Sequence, residues 1–343
     1  MLGKPVVLII TPYLADANNG NWRTARRWQQ LLALHYRVNV VNDIVSDNPH
    51  TSFNPKPDAI IALHARRSYV SILAAKKNYA DVPLIVVLTG TDLYRDIADS
   101  AEAQHSLTLA DALIVLQEDA IQYVPKAYRK KTHVVFQSAK PLLPAVKADG
   151  VLNCVAVGHL RAEKSPETIF QAAELLRETP NIHVTHIGKA MDEKLVKRAS
   201  ALTLSQQNYR WVGALSHGLT RAAIKRAHLL IHPSIMEGGA NVIVEAITAG
   251  TAVIASKMSG NVGMLGQDYS GYFPVGDAHA LVELLQRVKR EPNLFTRLNN
   301  ACKARSHLFT PDAERNQLDN IICQLAAIES PMKLARTQSR IDH

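Results

Sequence analysis

Two glutamates eight positions apart, Glu237 and Glu245, fall in the stretch Ser234 to Ser256, which reads SIMEGGANVIVEAITAGTAVIAS. Val242, Ile243, Val244, Ala246 and Ile247 surround a short helix with apolar side chains. That pattern predicts burial on all sides, so Glu245 in its middle requires a partner. Glu237 precedes Gly238 and Gly239, whose missing side chains let a backbone approach a ligand closely. The next amides, through Ala240 and Asn241, open the helix, and helix N-termini bind phosphate. Acceptor-only carboxylates on both sides of a phosphate cradle suit a ligand with hydroxyls flanking a pyrophosphate, a sugar nucleotide. An ordinary strand-to-helix turn whose glutamate reaches solvent is the alternative. It is preferable for a lone Gly-Gly turn, but here spacing and burial favour the ligand.

Four further loops carry polar and cationic residues after apolar runs. VAVGHLRAEKSPETI places Gly158, Arg161 and Lys164 before a helix started by Ser165 as N-cap and Pro166 at the first helical position. Two cations there can neutralise the charge that develops on a departing diphosphate; two ordinary surface cations are the alternative. In TPYLADANNGNWRTARRW, Asn18, Asn19, Gly20 and Asn21 form a turn that caps a helix from about Trp22 to His35. Arg23, Arg26 and Arg27 share a face of its first turns. Cations there oppose the helix dipole, a cost that an anionic ligand offsets, and a solvated basic face is the competing explanation. HARRS supplies His64, Arg66 and Arg67, and TGTDLYRD supplies Thr89, Gly90, Thr91, Asp92 and Arg95. A tight turn at Gly90 and an N-cap at Asp92 explain those two residues structurally. Together the loops predict a cationic pocket wall suited to a small, multiply charged oxyanion.

The elements that must position these loops alternate in type. The strand-like runs VVLII, RVNVV, AIIAL, LIVVL, ALIVL and HVVFQ are separated by helical patterns, and SAKPLLPAVKADG reads as a linker. The pattern restarts with LNCVAV, HVTHI, YRWVG, LLIHP and AVIAS. This predicts an α/β protein of two Rossmann-like doubly wound domains facing a cleft, with ligands at the carboxyl ends of the strands. The expected divisions are 1–145, 146–310, a helix within 311–330 that crosses back to the first domain, and a basic tail at 331–343.

Composition narrows the class. The chain has 343 residues, of which 47% are hydrophobic and 20% charged, as in soluble globular proteins. The net charge of +9 implies an anionic partner. Aromatics at 6% and the lack of a basic stripe interleaved with them argue against nucleic acid. No apolar run reaches the length of about 18 residues that a membrane span needs, and the start reads as a buried strand rather than a leader. Three cysteines, Cys154, Cys302 and Cys323, form no metal-like pattern, so reduced thiols in the cytoplasm are expected. No Asp-x-Asp motif in suitable strand context and no His/Cys cluster occurs, so no required metal or cofactor is expected.

GHLRAEK, the strand ending in HPS, EGGANVIVE and the downstream Gly276-Asp277 pair resemble the donor domain of retaining GT-B glycosyltransferases of the family 4 type. The resemblance implies that Arg161 and Lys164 bind the donor diphosphate. It also implies that Glu237 holds sugar hydroxyls, that Gly238 to Asn241 meet the phosphates and that Glu245 holds the ribose. Ser165 stands where that family usually has glycine, and Gly239 and Ala240 replace an aromatic residue and a glycine. In the first half, ANNGNWRTARRW, ALHARRS and VLTGTDLYRDI resemble the selenosugar synthases of selenoneine biosynthesis. That implies UDP-GlcNAc and selenophosphate as substrates, with a selenosugar, UDP and phosphate as products. The acceptor would meet Asn18, Gly20, Asn21, Arg23, Arg26, His64, Arg66, Gly90, Thr91 and Asp92, and His64 would also assist catalysis. A hexosyltransferase with a sugar or lipid-linked acceptor, and a non-catalytic sugar-nucleotide-binding protein, remain as alternatives.

Overall fold

A computed structural model describes residues 4–12, 20–44, 55–179 and 181–328. Asn18, Asn19 and the basic tail at 331–343 lie outside the described residues. The chain divides into two compact units, Met1–Gln137 with Pro311–His343, and Ser138–Thr310.

Unit 1 is built on a six-stranded parallel sheet. Its strands are β1 (Val6–Ile10), β2 (Arg37–Val41), β3 (Ala59–Leu63), β4 (Leu84–Leu88), β5 (Ala112–Val115) and β6 (Thr132–Val134), in the spatial order β2-β1-β3-β4-β5-β6. The helices are α1 (Gly20–Leu32), α2 (Tyr69–Asn78), α3 (Ile97–Asp99), which continues a π-helical turn over Asp92–Asp96, and α4 (Ala101–Leu109). Both sheet faces are covered because the central strands are apolar at every position. Period-two alternation sends Leu8, Ile10, Ile60 and Val86 against α2 and α4. Val7, Ile9, Ile61 and Val87 face the other way, toward Trp28 and Leu32 of α1.

In unit 2 the strands β7 (Leu152–Val157), β8 (Ile182–Ile187), β9 (Tyr209–Trp211), β10 (Leu229–His232), β11 (Ala252–Ser256) and β12 (Tyr272–Phe273) are also all parallel. The helices are α5 (Pro166–Leu175), α6 (Glu193–Ser205), α7 (His217–Arg226), α8 (Asn241–Thr248), α9 (Ser259–Leu265), α10 (Ala278–Arg290) and α11 (Pro292–Arg305). The spatial order β12-β11-β10-β7-β8-β9 reverses direction between β7 and β10. In such sheets that reversal opens a crevice beyond the strand ends, where ligands bind. β12, which has two residues, is too short to announce itself as a strand in the sequence.

The last helix, α12 (Pro311–Ala326), belongs to unit 1. Leu318, Ile321 and Ile322 join the core face of α1. The wholly buried Glu314 accepts from Trp28 Nε1 at 2.6 Å and pairs with Arg27 Nε at 2.9 Å. Arg27 therefore leaves the basic face read from the sequence, while Arg23 and Arg26 remain exposed.

Candidate functional site

The loops after β7 and β10 emerge side by side in unit 2, because those strands pair in parallel at the point of reversal. A backbone hydrogen bond from Ile235 N to Glu163 O, 3.0 Å, ties them together. Across this tie the Lys164 ammonium donates to Glu237 Oε1. His232, 1% exposed at the end of β10, places Nε2 3.5 Å from the same oxygen. Burial alone would push the Glu237 carboxyl up. The Lys164 charge instead holds it well below the usual carboxylate range. Burial keeps His232 below its ordinary value, and hence neutral near pH 7. Arg161, 47% exposed, has its Nε 3.9 Å from Glu163 and projects from the same loop.

Two glycines away from the predicted site set its shape. A Cβ on Gly188 would stand 1.8 Å from the carbonyl oxygen of Gly158, so only glycine lets the loop after β8 pack under the loop after β7. A Cβ on Gly260 would stand 2.2 Å from the carbonyl oxygen of Glu237, so α9 can lie against the Glu237 backbone only at a glycine. Gly158 itself is less constrained: a Cβ there would come nearest to the Lys164 side chain, at 3.4 Å.

Pro166 opens α5 as the sequence indicates, but Ser165 does not cap it through its side chain. Its backbone is left-handed, with φ 47° and ψ 51°, and its Oγ bonds Thr168 Oγ1 at 2.9 Å. A left-handed position explains why glycine is common there. Further along, Asp277 caps α10 by accepting from Ala280 N at 2.9 Å, after Gly276 at φ 78°.

Glu245 lies in α8, which is apolar and buried around it, and its side chain is 11% exposed. The partner its position requires is His217, whose Nε2 reaches Oε1 at 2.9 Å from the first residue of α7. Arg221, one turn on, adds a nearby positive charge. Ala240 is the residue before α8 and Asn241 its first residue, with Gly238 buried and Gly239 half-buried in the turn before them. His217 carries no motif spacing in the sequence, which is why it escapes a reading of spacing alone.

In unit 1, Gly20 and Asn21 begin α1, and Arg26 donates to Gln29 at 2.8 Å. The loops after β3 and β4 are joined by Asp92. Its Oδ1 accepts from the amides of Thr89 (2.9 Å), Gly90 (2.8 Å) and Leu93 (3.1 Å), and its Oδ2 from Ala65 N (3.0 Å). Asp92 is the first residue of the π-helical turn rather than a helix N-cap, and it is wholly buried. With four amides on its carboxylate it organises the two loops and is closed to an acceptor. His64, 1% exposed, adopts φ 73°. Its Nδ1 accepts from Arg67 N at 3.3 Å, which places the proton on Nε2, 3.1 Å from Thr91 Oγ1. Burial lowers its pKa against the pull of Asp92, so the ring is neutral near pH 7. Arg66 is exposed, with Nε 3.0 Å from Asp96. Among the described residues no group of three or more His, Cys, Asp or Glu side chains is placed to hold a metal, and no helix is long and apolar enough to cross a membrane.

Residues 146–305 match the family model of glycosyl transferases group 1. Glycosyltransferase 1 domain-containing protein 1 of Xenopus tropicalis is 24% identical over 173 residues, 50% of each chain, so the alignment spans half the length of that relative. Among solved structures, sucrose-phosphate synthase from Thermosynechococcus elongatus superposes with a TM-score of 0.71 at 17% identity, covering 94% of this chain and 100% of that one. Anabaena HepE, solved in complex with UDP and glucose, gives 0.69 at 15% identity, covering 93% and 99%. The pneumococcal O-GlcNAc transferase GtfA, with UDP and GlcNAc, gives 0.60 at 15% identity over 78% of this chain and 57% of that one. The fold is α/β, two units on parallel six-stranded sheets, with GT-B glycosyltransferases as its structural neighbours.

Proposed function

We propose, from a glycosyl transferases group 1 match in unit 2 and GT-B neighbours for the fold, that the protein is a glycosyltransferase that takes its sugar from a UDP-sugar. The observation that carries this reading is the Lys164–Glu237 contact at the reversal of the second sheet. It sets a cation for phosphate and a carboxylate for sugar hydroxyls on adjoining loops. Arg161 and Lys164 stabilise the departing diphosphate, Glu237 positions the sugar, the amides from Gly238 to Asn241 hold phosphate oxygens and Glu245 holds the ribose. Neighbours solved with UDP, with UDP and glucose and with UDP and GlcNAc support the donor class.

For the acceptor the reading is selenophosphate, with GlcNAc as the transferred sugar. The exposed arginines on the loops of unit 1, which offer charge-assisted donors to a small oxyanion, support it. Selenium of the anionic acceptor attacks the anomeric carbon, the C–Se bond forms, and the bond from that carbon to the diphosphate breaks with its electron pair leaving on UDP. Water then cleaves the P–Se bond, giving phosphate and a selenosugar. A soft, already charged nucleophile needs little general-base help, which accords with a buried, neutral His64.

The test is purified protein with UDP-GlcNAc, with and without selenophosphate, followed by mass spectrometry of UDP and of selenium-containing products. Release of UDP together with a selenosugar only when selenophosphate is present is the expected result. UDP release only with sugar acceptors would sink the selenium reading and leave the glycosyltransferase; donor binding without UDP release in any mixture would sink both.

A further inference from the structure

In unit 1 the loops after β3 and β4 bring two guanidinium groups to one carboxylate. Asp96 ends the π-helical turn with its side chain 5% exposed; Arg66 Nε lies 3.0 Å from its Oδ2 and Arg95 Nε 3.5 Å from its Oδ1. Both arginines reach it through Nε, and their side chains are 44% and 58% exposed. A guanidinium engaged at Nε keeps four Nη–H donors for another partner. Both arginines follow the carboxyl ends of adjacent parallel strands, the edge at which α/β sheets bind ligands.

The surrounding charge favours an anion. Asp92 and Asp96 are enclosed, whereas Arg66, Arg67 and Arg95 are exposed. His64, whose Nε2 is 3.8 Å from Asp96 Oδ2, adds no charge when neutral. Asp99 on α3 and Glu102 on α4 are exposed carboxylates in the following segment, and Glu102 is engaged by Ser100 Oγ at 2.6 Å. Asp96 Oδ2 makes ion-pair contacts but no hydrogen bond among the described residues. An enclosed, under-bonded carboxylate is a poor device for stability alone. It is a good device for fixing two long side chains that would otherwise lose rotamer freedom on binding.

We propose that Arg66 and Arg95, set in place by Asp96, form a two-fork binding site for a tetrahedral oxyanion of the phosphate class. Arg95 is a binding residue and Asp96 a positioning residue. The site rests on the function proposed above only in that its natural oxyanion is the acceptor. Arginine forks match the edges of such a group in a way that lysine does not. Presented at a fixed separation, they favour a phosphoryl-type group over a neutral sugar.

Inorganic phosphate and thiophosphate, titrated calorimetrically into the full-length protein with UDP titrated in parallel, test the site. In Arg66→Ala and Arg95→Ala, oxyanion affinity is expected to fall at least tenfold while UDP affinity stays at its wild-type value; each variant keeps one cation on the buried Asp96, so the melting temperature falls without loss of the fold. Arg95→Lys should recover part of the loss, and Asp96→Asn should raise the acceptor KM several-fold with kcat nearly unchanged. Should Asp96→Asn fail to fold, the exposed arginine variants decide the matter alone. Wild-type oxyanion affinity in both arginine variants, or a parallel loss of UDP affinity, would overturn the proposal. Arginine-dependent phosphate binding without turnover of selenophosphate would leave the site standing and remove only the identity of the acceptor.

Discussion

Lys164 and Glu237 are 73 residues apart in the chain and in direct contact in the fold, each on a loop that leaves the sheet where its strand order reverses. The pair is 21% and 14% exposed, so neither charge is well hydrated once its partner is gone. Lys164→Ala should therefore leave a largely buried carboxylate beside a neutral His232. Partial burial places the expected destabilisation at roughly 1–3 kcal/mol, below that of a fully buried pair. On the mechanism proposed above it should also lower kcat about a hundredfold, because charge stabilisation of the leaving group would be lost. Thermal melts and UDP release measure the two effects. A variant with wild-type turnover would remove Lys164 from the mechanism. Because the Glu237 pKa is depressed, the stability it contributes is full above about pH 4.5, its unfolded value, and fades as pH falls toward the folded one.

Gly188→Ala tests the close approach to Gly158. The added Cβ meets backbone rather than a movable side chain, so the loop carrying Arg161 and Lys164 must shift. UDP affinity should fall at least tenfold, with a lower melting temperature. Unchanged UDP binding by calorimetry would show that the loop after β7 does not depend on this contact.

The central strands of the first sheet are legible in the sequence because they are buried on both faces: VVLII, AIIAL and LIVVL have no polar position to confuse the period. β12 is not legible, since two residues carry no pattern. Glu237, Lys164 and the helix around Glu245 could be read because glycines, proline and apolar neighbours mark their loops. His217 and Asp96 could not, because their importance lies in what folding brings to them. Asp92 is the instructive case: an aspartate after a strand reads equally as a cap or a ligand group, and only four converging amides distinguish these from a scaffold.

His186 gives unit 2 a defined acid sensitivity. It is 2% exposed in β8, with Tyr209 OH 3.1 Å from Nδ1, and burial lowers its pKa to about 4. Between that value and 6.5 the unfolded chain binds the proton and the folded one does not, so stability rises with pH across this window. The contribution is full above about pH 6.5 and lost as pH falls to about 4. The gap between the two values corresponds to roughly 3 kcal/mol. Denaturant unfolding of wild type and His186→Phe at pH 7 and pH 4.5 should show a smaller acid loss in the variant; identical pH dependence would exclude His186 as its source.

Ser165 allows the left-handed turn before α5 to be tested by size. Glycine would relieve backbone strain of about 1 kcal/mol, but it adds unfolded-state entropy and removes the bond to Thr168, terms of similar size and opposite sign. Ser165→Gly should therefore change stability by less than about 1 kcal/mol, whereas the β-branched Ser165→Val should cost at least about 1–2 kcal/mol. Equal midpoints in chemical denaturation for both variants would mean that φ 47° is not the chain's conformation there in solution.

His217 faces solvent over 60% of its side chain while Glu245 is 11% exposed, so the pair is half in water and half in the core. The contact occupies Oε1 and, on the proposed reading, leaves Oε2 to a ribose hydroxyl. Removing a hydrogen bond to a charged group costs about 1.5–3 kcal/mol when it is buried, and exposure of the histidine brings this toward 1 kcal/mol. If Glu245 holds the ribose as proposed, His217→Ala should raise the KM for the UDP-sugar about five- to tenfold with kcat nearly unchanged, since ribose contacts are made equally in the ground and transition states. His217→Gln keeps an N–H donor and should recover part of the loss. A fall in kcat with constant KM would place Glu245 in the chemistry rather than in nucleotide recognition, and would move the ribose assignment elsewhere.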